Sequence, residues 1–273
     1  MEGVGSMNST AWAFLKRDCL MATSYRAAFL SQMLLLFGGV SVLYYAGQVL
    51  GLSESPLLRN YGGNYFAFLL VGVAFVDFLN VSLATFNVSI RDNQMMGTLE
   101  MILLSPVKVP ALLIYSSLWS YMLALIRFLF ILAVGGAFYG FRLENPNLTG
   151  AALILLFSIL SFAGVGILMA AFVMVFKKAD ISVVMSLASV FLGGVVFPPE
   201  VLPSWTKPLS ALLPITHSVQ GMREALMRGA SIEQLMPQIV ALALFGLLLF
   251  PLGLAVFSYA VNWTKATGTL GQY

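Results

Sequence analysis

Six long apolar stretches constrain the fold of this chain more than any other feature. A helix that crosses the hydrocarbon core of a bilayer needs about 20 apolar residues, and each stretch reaches or approaches that length. They cover about 29–51, 65–90, 111–140, 151–176, 181–197 and 238–261. The fifth is the shortest, because Phe197-Pro198-Pro199 ends it. The pattern predicts six transmembrane helices.

Composition agrees with this pattern and excludes several classes of protein. The 273 residues are 60% hydrophobic and 9% charged, whereas soluble domains carry about 25% charged residues. We therefore expect an all-α integral membrane protein with one transmembrane domain, 1–273. The basic residues are dispersed, which argues against nucleic-acid binding. A single Cys19 and a single His217 exclude a disulfide framework and a Cys/His metal site within one chain.

The distribution of basic residues predicts the orientation. With a cytoplasmic N-terminus, the cytoplasmic segments would hold Lys16, Arg17, Arg26, Arg91, Lys108, Lys177, Lys178 and Lys265. The short external loops would hold only Arg59 and Arg142. Because positive charge in short loops favours the inside, we expect both termini in the cytoplasm.

Two cytoplasmic segments have patterns of their own. Residues 10–27 mix aromatic and basic side chains, which predicts an amphipathic helix on the inner leaflet; a loosely structured arm is the alternative.

Residues 97–106 predict a short helix between spans two and three. Thr98 can cap its first turn, Glu100 lies near the positive end of its dipole, and Pro106 ends it. An ordinary connecting turn is the alternative there.

The segment between spans five and six predicts re-entrant helices over 198–231. Prolines interrupt its first part, and Leu209 to Leu213 is apolar but too short to span. Irregular backbone at membrane depth must be shielded by protein. A helical pattern returns from Ile215 to Met227, bears Arg223, and ends before Gly229.

Asp77 and Arg127 are the strongly charged residues deep inside predicted spans. At a rise of 1.5 Å per residue they lie roughly 18 Å and 16 Å from the outer surface. An isolated charge at mid-bilayer is costly, so we predict an ion pair, or a polar network shared with Asn80. The pair would fix the register of spans two and three or contact a substrate.

Together these motifs resemble the membrane subunit of ABC exporters of the type-2 permease class. The later part of that pattern, Pro198, then Pro214-Ile215-Thr216, then Arg223, is also present. The resemblance implies that the 97–106 helix docks on an ATPase subunit. The implied coupling residues are Gly97, Thr98, Leu99, Glu100, Leu104, Ser105 and Pro106, with Arg91 and Asp92 as upstream candidates.

The partners follow from the same resemblance. None of the lysines precedes Ser or Thr, so the chain has no P-loop of its own, and ATP and Mg²⁺ would bind a separate ATPase. The resemblance implies a homodimeric permease in a bacterial plasma (inner) membrane. The resemblance also implies that spans one and five meet across the homodimer and frame the substrate path. Small residues on span five, which allow close helix approach, would form this interface or pack within one chain: Ser182, Ser186, Ser189 and Gly193.

The expected function is export of a hydrophobic or amphipathic molecule, such as a drug or a lipid. Export of a lipid-linked glycan or polysaccharide is the second possibility. A secondary transporter is disfavoured because the halves show no repeat. A membrane enzyme is disfavoured because no HExxH, GxSxG or paired intramembrane aspartates occur.

Overall fold

A computed structural model describes residues 26–49, 51, 64–95, 109–143, 145–176 and 181–266. Within these ranges every regular element is a helix, as the sequence predicts. In chain order they are α1 (Arg26–Val49), α2 (Tyr65–Met95), α3 (Val109–Tyr139), α4 (Leu148–Phe176), α5 (Ile181–Leu192), a 3-10 helix (Pro199–Val201), α6 (Lys207–Ala211), α7 (Pro214–Met227) and α8 (Ile232–Ala266).

Five of these helices are long and apolar enough to cross a membrane. Their apolar parts are Phe29–Val49, Tyr65–Thr85, Ser117–Tyr139, Leu148–Phe176 and Ile232–Thr264. They match five of the six predicted spans in order along the chain. The protein is therefore a multi-pass membrane protein.

The predicted span at 181–197 is wrong at its C-terminal boundary. Helix α5 ends at Leu192, so its 12 residues extend only about 18 Å, against about 30 Å for a bilayer core. Two glycines end it. The Gly193 N–H closes the last turn on the Ser189 carbonyl at 2.9 Å, and Gly194 takes a φ of +71°, which glycine adopts without strain.

Helix α8 extends beyond the predicted last span, 238–261, at its N-terminal end. Helix α8 begins at Ile232, because Ser231 and Gln234 form a reciprocal cap. The Ser231 N–H donates to Gln234 Oε1 at 3.0 Å, and the Gln234 N–H donates to Ser231 Oγ at 3.4 Å. This capping box satisfies backbone donors of the first turn.

Helix α2 is the centre of the bundle. It packs against α1, α3, α4, α5 and α7, and α4 packs against α8 on its other side. The outer helices α1 and α8 leave rows of leucines exposed, for example Leu34, Leu35, Leu247 and Leu248. These exposed apolar faces suit contact with lipid.

Helix α7 enters the bundle between α2, α4 and α8. Near its C-terminus the Ala225 carbonyl accepts from the Asn147 N–H at 2.9 Å, just before α4 begins. Near its N-terminus the Ser218 hydroxyl accepts from Ser158 at 2.7 Å, about 15 Å along α4 from Leu148. Helix α7 therefore begins inside the bundle and runs outward to the end where α4 begins.

Two of the predicted segments lie outside the part of the chain that the structure describes. The interface helix at 10–27 is outside it except for its last two residues, which begin α1. The coupling helix at 97–106 is entirely outside it. Both remain predictions.

Candidate functional site

The structure brings Asp77 and Arg127 together. Arg127 Nε on α3 donates to Asp77 Oδ2 on α2 at 2.6 Å. The Arg127 side chain is 11% exposed and the Asp77 side chain 29% exposed. Each residue lies about 18 Å along its helix, from Tyr65 and from Tyr139 respectively. The antiparallel helices thus place the opposite charges at one depth.

A second polar contact lies one turn further along α2. Ser186 Oγ on α5 donates to Asn80 Oδ1 at 2.7 Å, and Asn80 is exposed. Val73, Asp77, Asn80 and Ala84 follow the spacing of one helix face. Among the described side chains of α2, this is the face that is not buried. It places a carboxylate and an amide on an open surface within the spanning segment.

Arg223 on α7 is held very differently, since it is only 2% exposed. Its Nε and Nη2 donate to the Phe68 carbonyl at 3.1 and 2.8 Å. Its Nη1 donates to the Gly194 carbonyl at 2.6 Å, and Nη2 also donates to the Val195 carbonyl at 2.8 Å. The guanidinium carbon lies 3.3 Å from the centroid of the Phe68 ring, which adds a cation–π contact. One side chain thereby joins α7 to the first turn of α2 and to the segment after α5.

Gly72 makes room for this arrangement. A Cβ atom at this position would lie 2.5 Å from Arg223 Nη2 and 2.7 Å from the Val195 carbonyl oxygen. Both distances are shorter than any normal contact, and one of the two atoms belongs to backbone. A side chain at position 72 would therefore displace the guanidinium or the segment after α5.

Comparison with known families agrees with this architecture. Residues 27–255 match the family described as ABC-2 family transporter protein. The match runs from α1 into α8 and includes Asp77, Arg127 and Arg223. The chain belongs to the ABC-2 transporter family. A comparison with curated proteins found no match.

Membership of the ABC-2 family defines the general role of the chain. It is the membrane subunit of an ABC transporter, a kind of subunit that usually has no ATPase site of its own. It also implies a partner ATPase subunit. The resemblance inferred from the sequence motifs is thereby confirmed.

The predicted coupling residues of this ABC-2 chain fall in and next to the connection between α2 and α3. Gly97, Thr98, Leu99, Glu100, Leu104, Ser105 and Pro106 lie outside the described residues. Arg91 and Asp92 lie in the last turns of α2, and the structure describes only their backbone. Helices α2 and α3 end and begin on either side of this segment, at Met95 and Val109.

The small residues of α5 are used mainly inside the chain. Ser186 bonds Asn80, buried Ser189 donates to the Met185 carbonyl at 2.7 Å, and Ser182 is half-buried. A Cβ atom on Gly193 would lie 2.6 Å from Ile215 Cγ2. The exposed residues of α5 are Val183, Val184, Leu187 and Phe191. This matches the alternative of packing within one chain, and a dimer contact through the small residues stays a prediction.

Sequence reasoning missed two features of this region. It placed Arg223 on a helix without a role, because backbone carbonyls as partners leave no motif. The neighbouring glycines, Gly72 and Gly194, were the available signal. It also did not pair Ser186 with Asn80, although comparison of their depths in the membrane would have suggested the contact.

Proposed function

We propose that the chain exports a hydrophobic or amphipathic molecule, driven by ATP hydrolysis on the partner ATPase. The observation that carries this proposal is the open face of α2, where Asp77 and Asn80 are accessible within a spanning segment. Polar side chains at membrane depth are costly against lipid and occur where they line a cavity or a path. An amphipathic substrate fits a face on which Val73 and Ala84 flank these polar groups.

The path would be completed by a second copy of the chain. The exposed apolar residues of α5, Val183, Val184, Leu187 and Phe191, lie on the helix whose Ser186 borders the polar face. A homodimer that meets along α5, and along the predicted Ser182 stripe where it is accessible, would enclose this face. Both termini would lie in the cytoplasm of a bacterial cell, as the basic residues predict.

Coupling to ATP hydrolysis would run through residues 97–106. This segment connects α2 directly to α3, so a movement of the segment is transmitted to the helices that carry Asp77 and Arg127. Glu100 would meet a basic or hydrogen-bonding group of the ATPase, because an unpaired carboxylate in an interface is costly.

Glu100→Ala should uncouple the transporter. We expect normal membrane insertion of the variant, with loss of substrate-stimulated ATPase activity in the purified complex. Wild-type stimulation in this variant would contradict the assigned role of Glu100.

Transport itself tests the proposed function. The chain would be purified with its ATPase and reconstituted in vesicles that contain a phospholipid with a fluorescent acyl chain. We expect movement between the leaflets that requires ATP and stops with vanadate, measured by quenching with dithionite. Movement driven by an ion gradient alone, or chemical conversion of the lipid, would instead indicate a secondary transporter or an enzyme.

A further inference from the structure

Several polar groups on the open face of α2 have no protein partner in the described part of the chain. Arg127 bonds Asp77 only through Nε, so both Nη groups keep free N–H donors. Asp77 Oδ1 is a free acceptor, since only Oδ2 is bonded. Asn80 uses its carbonyl oxygen towards Ser186 and keeps its NH₂ group free. These atoms do not satisfy one another and remain accessible.

Lipid tails cannot supply the missing hydrogen bonds. The cluster lies about 18–22 Å along α2 from Tyr65, within an apolar span of 21 residues. Exposed Val73 and Ala84 lie on the same face of α2, and exposed Val183 and Leu187 flank Ser186 on α5. A polar cluster bordered by apolar surface matches a molecule with one polar end and one apolar chain.

The charges of the cluster restrict that polar end. Asp77 and Arg127 cancel each other, so a purely anionic group attracted by the guanidinium would also be repelled by the carboxylate a few ångströms away. A zwitterionic group satisfies both. Its anionic oxygens can accept from Arg127 Nη and the Asn80 amide, while its cation lies beside Asp77 Oδ1.

We propose that Asp77, Asn80 and Arg127 form a subsite for the zwitterionic headgroup of an amphiphile. The proposal rests on the proposed export function and names the class of substrate that the path accepts. Ser186 positions the subsite, because its hydroxyl donates to the Asn80 carbonyl and leaves the amide NH₂ group available to a ligand.

Displacement of a fluorescent amphiphile from the purified permease in lipid nanodiscs tests this subsite. The probe is lysophosphatidylethanolamine with a fluorescent acyl chain. The competitors share one acyl chain and differ in the headgroup: zwitterionic lysophosphatidylethanolamine, anionic lysophosphatidylglycerol and uncharged monoacylglycerol. We expect the zwitterion to displace the probe at the lowest concentration. Tightest binding of the anionic or the uncharged competitor, or equal displacement by all three, would overturn the assignment.

Two variants and a matched control connect the binding to these residues. Asn80→Ala should weaken binding of the zwitterion about five- to tenfold, as expected for one hydrogen bond. Arg127→Lys keeps the charge opposite Asp77 but loses the planar fork of donors, and should weaken it about tenfold. Ser258→Ala on α8 removes an exposed hydroxyl whose one hydrogen bond among the described residues is to the Leu254 carbonyl at 2.7 Å, and should leave binding of the zwitterion unchanged.

If Asn80→Ala and Ser258→Ala bind the zwitterionic competitor equally well, the open face of α2 does not bind the headgroup. Asn80 is exposed, and among the described residues its side chain has one hydrogen bond, to Ser186. We therefore expect Asn80→Ala to keep the fold, which elution of the variant as a single species verifies. The measurement involves no ATPase. A negative result therefore removes the subsite while ATP-driven transport, tested separately, can still stand.

Discussion

Arg223 and Arg127 are both held among apolar helices, and they are held in opposite ways. Arg223 is almost completely buried and donates to backbone carbonyls of two separate segments. Among the described residues, Arg127 has one hydrogen-bond partner, a carboxylate that is itself accessible. A buried charge that donates to fixed backbone oxygens of two segments stabilises one arrangement of helices. A charge with unused donors beside an open surface can exchange partners during transport.

Among these predictions, removal of the Arg223 side chain should lower the stability of the protein most. Arg223→Leu would leave the carbonyls of Phe68, Gly194 and Val195 without their charged donor. Buried groups that lose such partners cost about 3–5 kcal/mol in total. We expect a large drop in thermal stability and little folded protein in detergent. Stability equal to wild type would show that Arg223 is not an anchor.

Reversal of one charge in the pair of Asp77 and Arg127 should lower the stability less. Asp77→Arg or Arg127→Asp alone places two like charges together within the span, at a cost of about 2.5–3.5 kcal/mol. Asp77→Arg combined with Arg127→Asp restores the opposite charges and should recover most of the folded yield. If both single variants insert and express like wild type, the pair makes no contribution to folding.

Gly72 allows a test of the anchor that leaves Arg223 in place. Gly72→Ala should destabilise the protein by about 1–3 kcal/mol, because the added methyl meets the guanidinium and the Val195 carbonyl. Gly38→Ala on α1 is the matched control, since nothing lies within 4 Å of its added Cβ. Equal melting temperatures for these two variants would contradict the close packing at Gly72.

These two arginines also show what a sequence can predict. The positions of the spans can be predicted from the length of the apolar stretches. The approach of Asp77 to Arg127 can be predicted from their depth in the membrane. Two consecutive antiparallel helices share one end, and residues at the same distance from that end lie side by side. The partners of Arg223 could not be predicted in this way. They are backbone oxygens, which every residue carries, and their positions depend on how α7 enters the bundle.

The end of α5 illustrates a second limit. Hydropathy continues through Val195 and Val196 to Phe197, so the apolar stretch predicts a span to 197. The helix ends earlier because Gly193 and Gly194 turn the chain towards Arg223. The length of an apolar stretch indicates which residues can be buried in the membrane or the protein. It does not indicate where the helix ends, which the positive φ of Gly194 determines.

We distinguish a buried arginine, Arg223, from a polar face of α2 that is open to a transport path. The most direct test of this distinction is whether water reaches the open face of α2. In a Cys19→Ser background, Asn80→Cys in the membrane-embedded complex with its ATPase would be treated with a charged, water-soluble thiol reagent. Leu247→Cys, on the exposed apolar face of the outer helix α8, is the matched control, since it lies about 22 Å along its helix from Ile232, as Asn80 does from Tyr65. We expect Asn80→Cys to be labelled at a rate that changes with ATP and vanadate, and Leu247→Cys to remain unlabelled. If Asn80→Cys is as unreactive as Leu247→Cys in every nucleotide state, the open face of α2 meets lipid and is not a transport path.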